Sequence, residues 1–380
     1  MSSSHQELSS NRVKTTWGII KDLMGKTQPT DTNMEINSEA GTLTNINNIA
    51  KAFNSYFINI TEDLINNSSD IDKALQLLKK CYPESIPVMK LIPVTEIEVR
   101  DIIKSLRNKN SSGYDGISNN ILKYCINEIS KPLTYIFNLS IMTGVFPDRF
   151  KHATVWPIYK KGDKSSMNNY RPVSLLMTCS KILEKIMLNW LNQHLLTNKI
   201  LALEQFGFRK GSNIERAGFA LTDHILTSLN QRQHVEGIFC DLTKAFDCVD
   251  HEILLTKLHH YGIQGVGWNW FKTYIKNRKQ KVQINSQSGI QESICKWETI
   301  KSGVPQGSIL GPLLFIVYVN DFPRVAKQLA SPVMYADDTS LLVAAKDLGE
   351  LEGKVKATLK HITDWFSING LTLNMEKTQC

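Results

Sequence analysis

The stretch that most constrains this chain is Tyr335-Ala336-Asp337-Asp338, set between the apolar run Ser331 to Met334 and a second one from Leu341 to Ala345. Apolar segments on either side of an acidic tip predict a β-hairpin. Far upstream, Gly237 to Cys240 is another apolar segment, and it ends on Asp241. Asp at a turn is ordinary, because Asp is a good turn former. The second Asp-terminated strand changes the reading. Neighbouring carboxylates repel and raise each other's pKa unless cations neutralise them. Two buried strands that each deliver an Asp to one end of a sheet suit a pair of hard divalent cations, the arrangement that drives in-line displacement at phosphorus. The pattern therefore predicts nucleotidyl transfer.

The bulk numbers agree without deciding. The 380 residues leave room for two or three lobes and a sizeable core, and a net charge of +8 favours a polyanionic partner. The seven cysteines contain no Cys-x-x-Cys pair, which argues against zinc, and their odd, scattered placement suits a reducing compartment. The amino terminus is polar and lacks the apolar core of a signal peptide. The longest apolar run, Leu313 to Val319, is too short to span a membrane.

Residues 1–93 read as an extension rich in Asn, Ser and Thr and partly helical, with Ile46, Ile49, Phe53, Phe57, Ile60 and Leu64 at helical spacing. A helix is predicted from Thr95 to Leu106, with Thr95 as N-cap and Glu98 closing a capping box. Residues 94–234 read as a second unit, in which residues 109–233 alternate short basic loops with apolar segments. They include a strand from Val155 to Tyr159, a turn at Lys160-Lys161-Gly162-Asp163, and a return beginning at Arg171. Residues 235–380 read as a more apolar unit. It holds a strand Val235 to Cys240, a helix His251 to Tyr261, strands Lys281 to Asn285 and Trp297 to Lys301, and a helix Ile309 to Asn320. The hairpin, a helix Leu348 to Ile368 and a strand Leu371 to Leu373 follow. Strands interleave with helices and hairpins, which makes the fold class α+β.

Two further constellations bear on chemistry. Ser302-Gly303-Val304-Pro305-Gln306-Gly307-Ser308 is either a plain connector or a loop whose backbone approaches a ligand, ahead of a helix whose N-terminus offers donors to phosphate. Lys160, Lys161 and Arg171 are either a solvated charge run or a mobile hairpin that grips a triphosphate. His251, His259 and His260 read as packing or surface residues, and Cys240 as a small apolar strand residue.

Taken together these residues resemble the reverse transcriptases of non-LTR (LINE-type, jockey- and CR1-like) retrotransposons. The matching blocks, in chain order, are Ser112-Gly113-Tyr114-Asp115-Gly116-Ile117, Pro157 through Asp163, Asn169 through Pro172, Gln205 through Arg209, Asp241 through Asp247, Gly303 through Ser308, Tyr335 through Asp338, and Leu373 through Thr378. Trp17 to Leu64 resembles the connector that such elements carry after an endonuclease. The resemblance implies a right-hand polymerase with fingers and a palm, the palm a split βαβ antiparallel sheet backed by helices. It implies metal ligation of two Mg²⁺ (Mn²⁺ as a substitute) by Asp241, Asp337, Asp338 and the backbone carbonyl of Leu242. Lys377 would protonate pyrophosphate. Lys160, Lys161, Arg171, Phe246, Gln306 and Gly307 would meet the nucleotide, and Ser112, Gly113, Asp115, Gln205, Arg209 and Pro305 the template.

The partners so implied are an RNA template, a DNA or RNA primer and dNTPs, with no membrane. The compartment implied is intracellular, with nuclear access for copying at a chromosomal target and a cytoplasmic ribonucleoprotein as the other location. The chain stops at Cys380, before the thumb the resemblance leads one to expect, so a truncated polyprotein is expected. A thumbless fragment that only binds RNA, and an RNA-dependent RNA polymerase, share most of these residues. Phe246 separates the last of them, because a ring beneath the ribose leaves no room for a 2′-hydroxyl. Phe246→Val is expected to raise ribonucleotide incorporation, measured as the dNTP-to-NTP ratio of kcat/KM in primer extension. An unchanged ratio refutes the gate.

Overall fold

The computed structural model describes residues 34–38, 41–61, 69–284 and 295–380. Its amino-terminal part holds β1 (Ile36–Ser38), β2 (Gly41–Leu43), α1 (Ile46–Asn59), α2 (Ile71–Cys81), α3 (Glu96–Ser105), α4 (Asn119–Tyr124) and α5 (Ile126–Thr143). The middle runs β3 (His152–Tyr159), β4 (Tyr170–Leu176), α6 (Thr178–Thr197), α7 (Ile214–Asn230), β5 (His234–Cys240), α8 (His251–His260) and α9 (Gly265–Ile275). The remainder is β6 (Lys279–Val282), β7 (Glu298–Thr299), α10 (Gly311–Val319), α11 (Phe322–Ala326), β8 (Ser331–Tyr335), β9 (Asp338–Ala345) and α12 (Leu348–Ile368).

Local chemistry explains the helix ends. The Thr95 hydroxyl accepts from the Glu98 N–H while the Glu98 carboxylate takes the Thr95 N–H, so the capping box forms as expected. The Asn45 and Asp347 side chains cap α1 and α12 by accepting N–H groups of the first turn. Ile49, Phe53 and Phe57 of α1 are buried against Val155, Tyr170, Val282 and Ile284. Leu64, expected on the same stripe, lies outside the described residues.

Two sheets position everything else. The first is antiparallel, in the order β5-β9-β8, so the central strand comes from the hairpin and the edge strand from far upstream. Alternation sets its faces: Ile238 and Cys240 are buried, whereas Phe239 is 46% exposed on the opposite side. The second sheet is mixed, in the order β4-β3-β6-β7, with β3 antiparallel to β4 and parallel to β6. It draws strands from both sides of residue 235, and α1 covers it.

Several boundaries differ from expectation. β3 begins at His152 rather than Val155, because its first residues pair with β6. β6 occupies 279–282 rather than 281–285, in the register that parallel pairing with β3 imposes, and Asn285 lies outside the described residues. β7 shrinks to two residues at the sheet edge. The expected strand at Leu371 to Leu373 is a single bridge, Leu373 to Leu242. The basic, loop-like texture of residues 109–233 hides three long helices, α5, α6 and α7.

The main core wraps α10, whose residues Leu313 to Val319 are at most 2% exposed. This longest apolar run is thus a core helix. No helix among the described residues is long and apolar enough to cross a membrane. Beside it lies a buried ion pair. The Lys257 Nζ donates to Asp321 Oδ1 at 2.6 Å, with side chains 1% and 0% exposed, and Trp365 Nε1 donates to Asp321 Oδ2 at 3.0 Å. Burial pulls the Lys257 pKa down and Asp321 opposes that shift. Asp321→Ala leaves an unpaired ammonium in the core and is expected to cost about 3–5 kcal/mol. Thermal denaturation followed by circular dichroism checks this, and an unchanged melting temperature contradicts it.

Candidate active site

Register brings the carboxylates together. Cys240 pairs with Thr339 as the last rung of the ladder, so Asp241 follows at the end of the sheet where β9 begins with Asp338. Tyr335 pairs with Asp338, which leaves Ala336 and Asp337 as the turn, with Ala336 at φ 59°. Asp337 is half-buried and Asp338 exposed. Burial raises the Asp337 pKa, the Asp338 and Asp241 carboxylates raise it further, and Arg171 opposes them. Asp241 and Asp337 therefore share one electrostatic site.

A cation already sits there: the Lys377 Nζ donates to Asp241 Oδ2 at 2.9 Å. The Asp241 carbonyl accepts the Asn374 N–H at 2.8 Å, and Leu242, bridged to Leu373, is buried. Among the described residues no three His, Cys, Asp or Glu side chains gather into a metal cage. The oxygens that act on one another here are the carboxylates of Asp241, Asp337 and Asp338, with Lys377 supplying one positive charge. Such a set fits a hard divalent cation.

Gln205 holds the acidic turn in place. This residue is 2% exposed. Its Oε1 accepts the Ala336 N–H at 2.9 Å and the Gly207 N–H at 2.8 Å, and its Nε2 donates to the Ala336 carbonyl at 3.1 Å. Gly207 lies so close that a Cβ there would stand 2.2 Å from the Ala336 nitrogen. Arg209 donates to the Ala202 and Gln205 carbonyls. Gln205, for which the resemblance implies a template contact, has its amide buried and occupied by backbone. The Arg209 guanidinium likewise braces this loop.

The basic hairpin closes over the carboxylates. Lys160, Lys161 and Arg171 are exposed, with Arg171 paired to Ile158 across β3 and β4. Burial lowers the Lys160 pKa, as do Arg171 and Lys377, while Asp241 raises it. Four groups distant in sequence therefore act on one another. The tip of this hairpin is tied to the amino-terminal extension. The Asn37 N–H donates to the Ser165 carbonyl at 2.8 Å, and the Tyr56 hydroxyl bonds Asn168.

The loop at Ser302 to Ser308 is pressed against β4. The Ser174 N–H donates to the Gln306 carbonyl at 2.8 Å, and Gly307 stands at φ 121° with a Cβ position 2.4 Å from the Ser174 carbonyl oxygen, so only glycine fits. Pro305 and Gln306 line a cavity of about 40 Å³ with Asp247 and the buried Arg278. Donors at the start of the following helix are taken within the chain. The Ile309 and Leu310 N–H groups donate to the buried Glu184 at 2.7 and 3.4 Å, and the Gly311 N–H donates to Ser308.

The Phe246 ring stacks on Phe315 at 4.5 Å and meets the edge of Phe208, while its carbonyl accepts the Val304 N–H. Ser112 bridges to Ser118, and Gly113 packs on the Met177 backbone. Asp115 accepts the Ile117 N–H, and burial raises its pKa. Sequence reasoning missed Lys244, Asp247 and Tyr56. Burial and then Asp247 push the Tyr56 hydroxyl up to about 12, and Lys244 Nζ lies 5.9 Å from its ring. No sequence signal separates Tyr56 from the apolar stripe of its helix.

Gln205→Leu keeps the volume but leaves three backbone groups unpaired, the Ala336 N–H and carbonyl of the acidic turn and the Gly207 N–H, at about 1–3 kcal/mol each. The variant is expected to melt several degrees below the parent and to lose activity, read by calorimetry and primer extension. A parent-like melting curve refutes the brace.

The sequence has relatives. The family described as reverse transcriptase (RNA-dependent DNA polymerase) matches residues 158–380. The chain is 32% identical over 308 residues to the probable RNA-directed DNA polymerase from transposon BS of Drosophila melanogaster, covering 77% of this chain and 33% of that protein. It is 29% identical over 309 residues to the RNA-directed DNA polymerase from mobile element jockey of Drosophila melanogaster, covering 80% and 33%. The chain spans about a third of the length of these curated relatives. With its Asp-tipped hairpin paired to an Asp-terminated strand and a basic hairpin above them, the chain belongs to the reverse transcriptase family, among those of the non-LTR retrotransposons.

Proposed function

We propose that this chain carries the polymerising unit of a non-LTR retrotransposon and extends a primer 3′ end with dNTPs on an RNA template. The observation that carries the reading is the convergence of Asp241 and Asp337 beneath Lys160, Arg171 and Lys377. In this reading residues 94–234 are the fingers, residues 235–380 the palm, and residues 1–93 an extension that anchors the fingers hairpin.

Asp241, Asp337 and the Leu242 carbonyl would hold two Mg²⁺, with Mn²⁺ as a substitute and Asp338 at the rim. Bound there, the ions supply Lewis acidity that lowers the pKa of the primer hydroxyl and offsets charge on the leaving pyrophosphate. The residues of the chain do the rest. Lys160 and Arg171 hold the triphosphate oxygens, Arg171 through paired donors and Lys160 as a point charge. Lys161 adds charge at the tip of the same hairpin. Lys377, parked on Asp241 at 2.9 Å, stands ready to pass a proton to the leaving group. Phe246, backed by Phe315, closes the space at the 2′ position. Pro305, Gln306 and Gly307 lie beneath the new base pair, and Ser112, Gly113 and Asp115 face the template side. Copying at a chromosomal target places the working enzyme in the nucleus.

Asp337→Asn is expected to reduce dNTP incorporation on a primed RNA by about a thousandfold or more. RNA affinity and its salt slope should stay at parent values. Retained synthesis would falsify the ligand role. RNA binding by the parent chain with no synthesis in either Mg²⁺ or Mn²⁺ would sink the polymerase reading.

A further inference from the structure

The basic hairpin of β3 and β4 carries like charge toward like charge. Burial lowers the Lys160 pKa, and Arg171, Lys377 and Lys161 lower it further, with Asp241 opposing. Burial lowers the Lys244 pKa as well, Asp247 opposes that shift, and Lys160 and Arg171 add to it. A bound triphosphate would offset this repulsion. Without one, the charges push the hairpin away from the turn that follows Asp241 unless a contact holds it down.

The amino-terminal extension supplies the hold. The Asn37 N–H donates to the Ser165 carbonyl at 2.8 Å, and the Asn37 side-chain amide donates to the Ser165 hydroxyl at 2.9 Å. Met167 packs against the apolar cluster of Ile36, Phe53 and Phe57. The Tyr56 hydroxyl donates to Asn168 Oδ1. Tyr56 also reaches the opposite side, where Lys244 Nζ lies 5.9 Å from its ring. Burial and then Asp247 keep its phenol protonated, so it stays a donor. The turn on that side is itself fixed. Lys244 stands at φ 50°, and its carbonyl accepts the Asp247 and Cys248 N–H groups at 2.8 and 3.0 Å. The Asp247 carboxylate accepts the Gln306 amide at 2.9 and 3.0 Å. Tyr56 therefore spans from the turn after Asp241 to the hairpin that carries Lys160 and Arg171.

We propose that Tyr56 is a positioning residue: a strut between Asn168 and the Lys244 turn, it keeps the basic hairpin over the carboxylates before a nucleotide arrives and so sets the affinity for the triphosphate. The proposal rests on the nucleotide-site reading above and adds what holds that site in its binding form. A preorganised hairpin need not be brought down against its own charge when the ligand binds. A hairpin in place for only a fraction of the time binds more weakly by that fraction. Once bound, the triphosphate holds the hairpin by its own charge, so the loss falls on KM and not on kcat.

The test is single-nucleotide extension of a primed RNA by the full chain, with KM and kcat measured separately. Tyr56→Phe keeps the ring against the apolar cluster and removes only the donor. It should raise the dNTP KM several-fold, to at most about tenfold, the value of one hydrogen bond, with kcat at the parent value. Asn168→Ala removes the acceptor and should raise KM by the same factor. The double variant should cost no more than either single one, as expected of two residues that act through one bond. An unchanged KM in Tyr56→Phe, a loss confined to kcat, or two losses that multiply overturns the proposal.

A parent chain that extends no primer refutes the polymerase reading instead, and the strut is then read directly. The amides of Lys160, Ser166 and Asn169 donate to the Asn169, Asp163 and Ser166 carbonyls within the hairpin. Without nucleotide they should exchange with deuterium several-fold faster in Tyr56→Phe than in the parent. Faster exchange upholds the strut whatever the activity, and equal exchange overturns it.

Discussion

The antiparallel pairing of β5 with β9 is the constraint on which the rest depends. A side-chain period of two means that a slip of one residue would send every side chain to the other face. The register that buries Ile238 and Cys240 also sets Asp241 at the end of the sheet where β9 begins. The core therefore chooses the geometry of the acidic site. Repulsion between Asp241, Asp337 and Asp338 works against the folded state, and apolar burial along the two strands offsets it. Electrostatic strain held in place by packing is what prepares such a site for cations.

Around this sheet the site is assembled by backbones in close contact. Gln205 and Gly207 press on the acidic turn, and Gly307 presses on Ser174. Each contact fastens one segment to a neighbour that is remote in sequence. The amino-terminal extension takes part in this assembly. α1 covers the second sheet, Thr61 reaches Ser302, and Asn37 and Tyr56 hold the tip of the basic hairpin. A segment that reads as a docked surface helix thus bears on the nucleotide side of the site.

Some of this was legible in the sequence for plain physical reasons. The Asp-tipped hairpin, the Thr95 capping box and the long helix Leu348–Ile368 rest on local periodicity, capping and turn chemistry, which operate over a few residues. The expected helix at Ile309 shifted because the buried Glu184 takes the N–H groups of Ile309 and Leu310, a partner that lies far away in the chain. β6 moved because its register belongs to β3. The bracing of the acidic turn by Gln205 was not legible, because nothing local distinguishes a glutamine that faces a groove from one that braces a turn.

The sequence by itself determined which residues can carry charge, where carboxylates meet apolar strands, and the family to which the chain belongs. These follow from residue type and short-range spacing. Only the tertiary structure decided that Lys160, Arg171, Lys377, Asp241 and Asp337 act on one another, and that Asp247 holds Gln306. Electrostatic and hydrogen-bond partners are chosen by distance in space, and that distance is set by strand register and long-range packing.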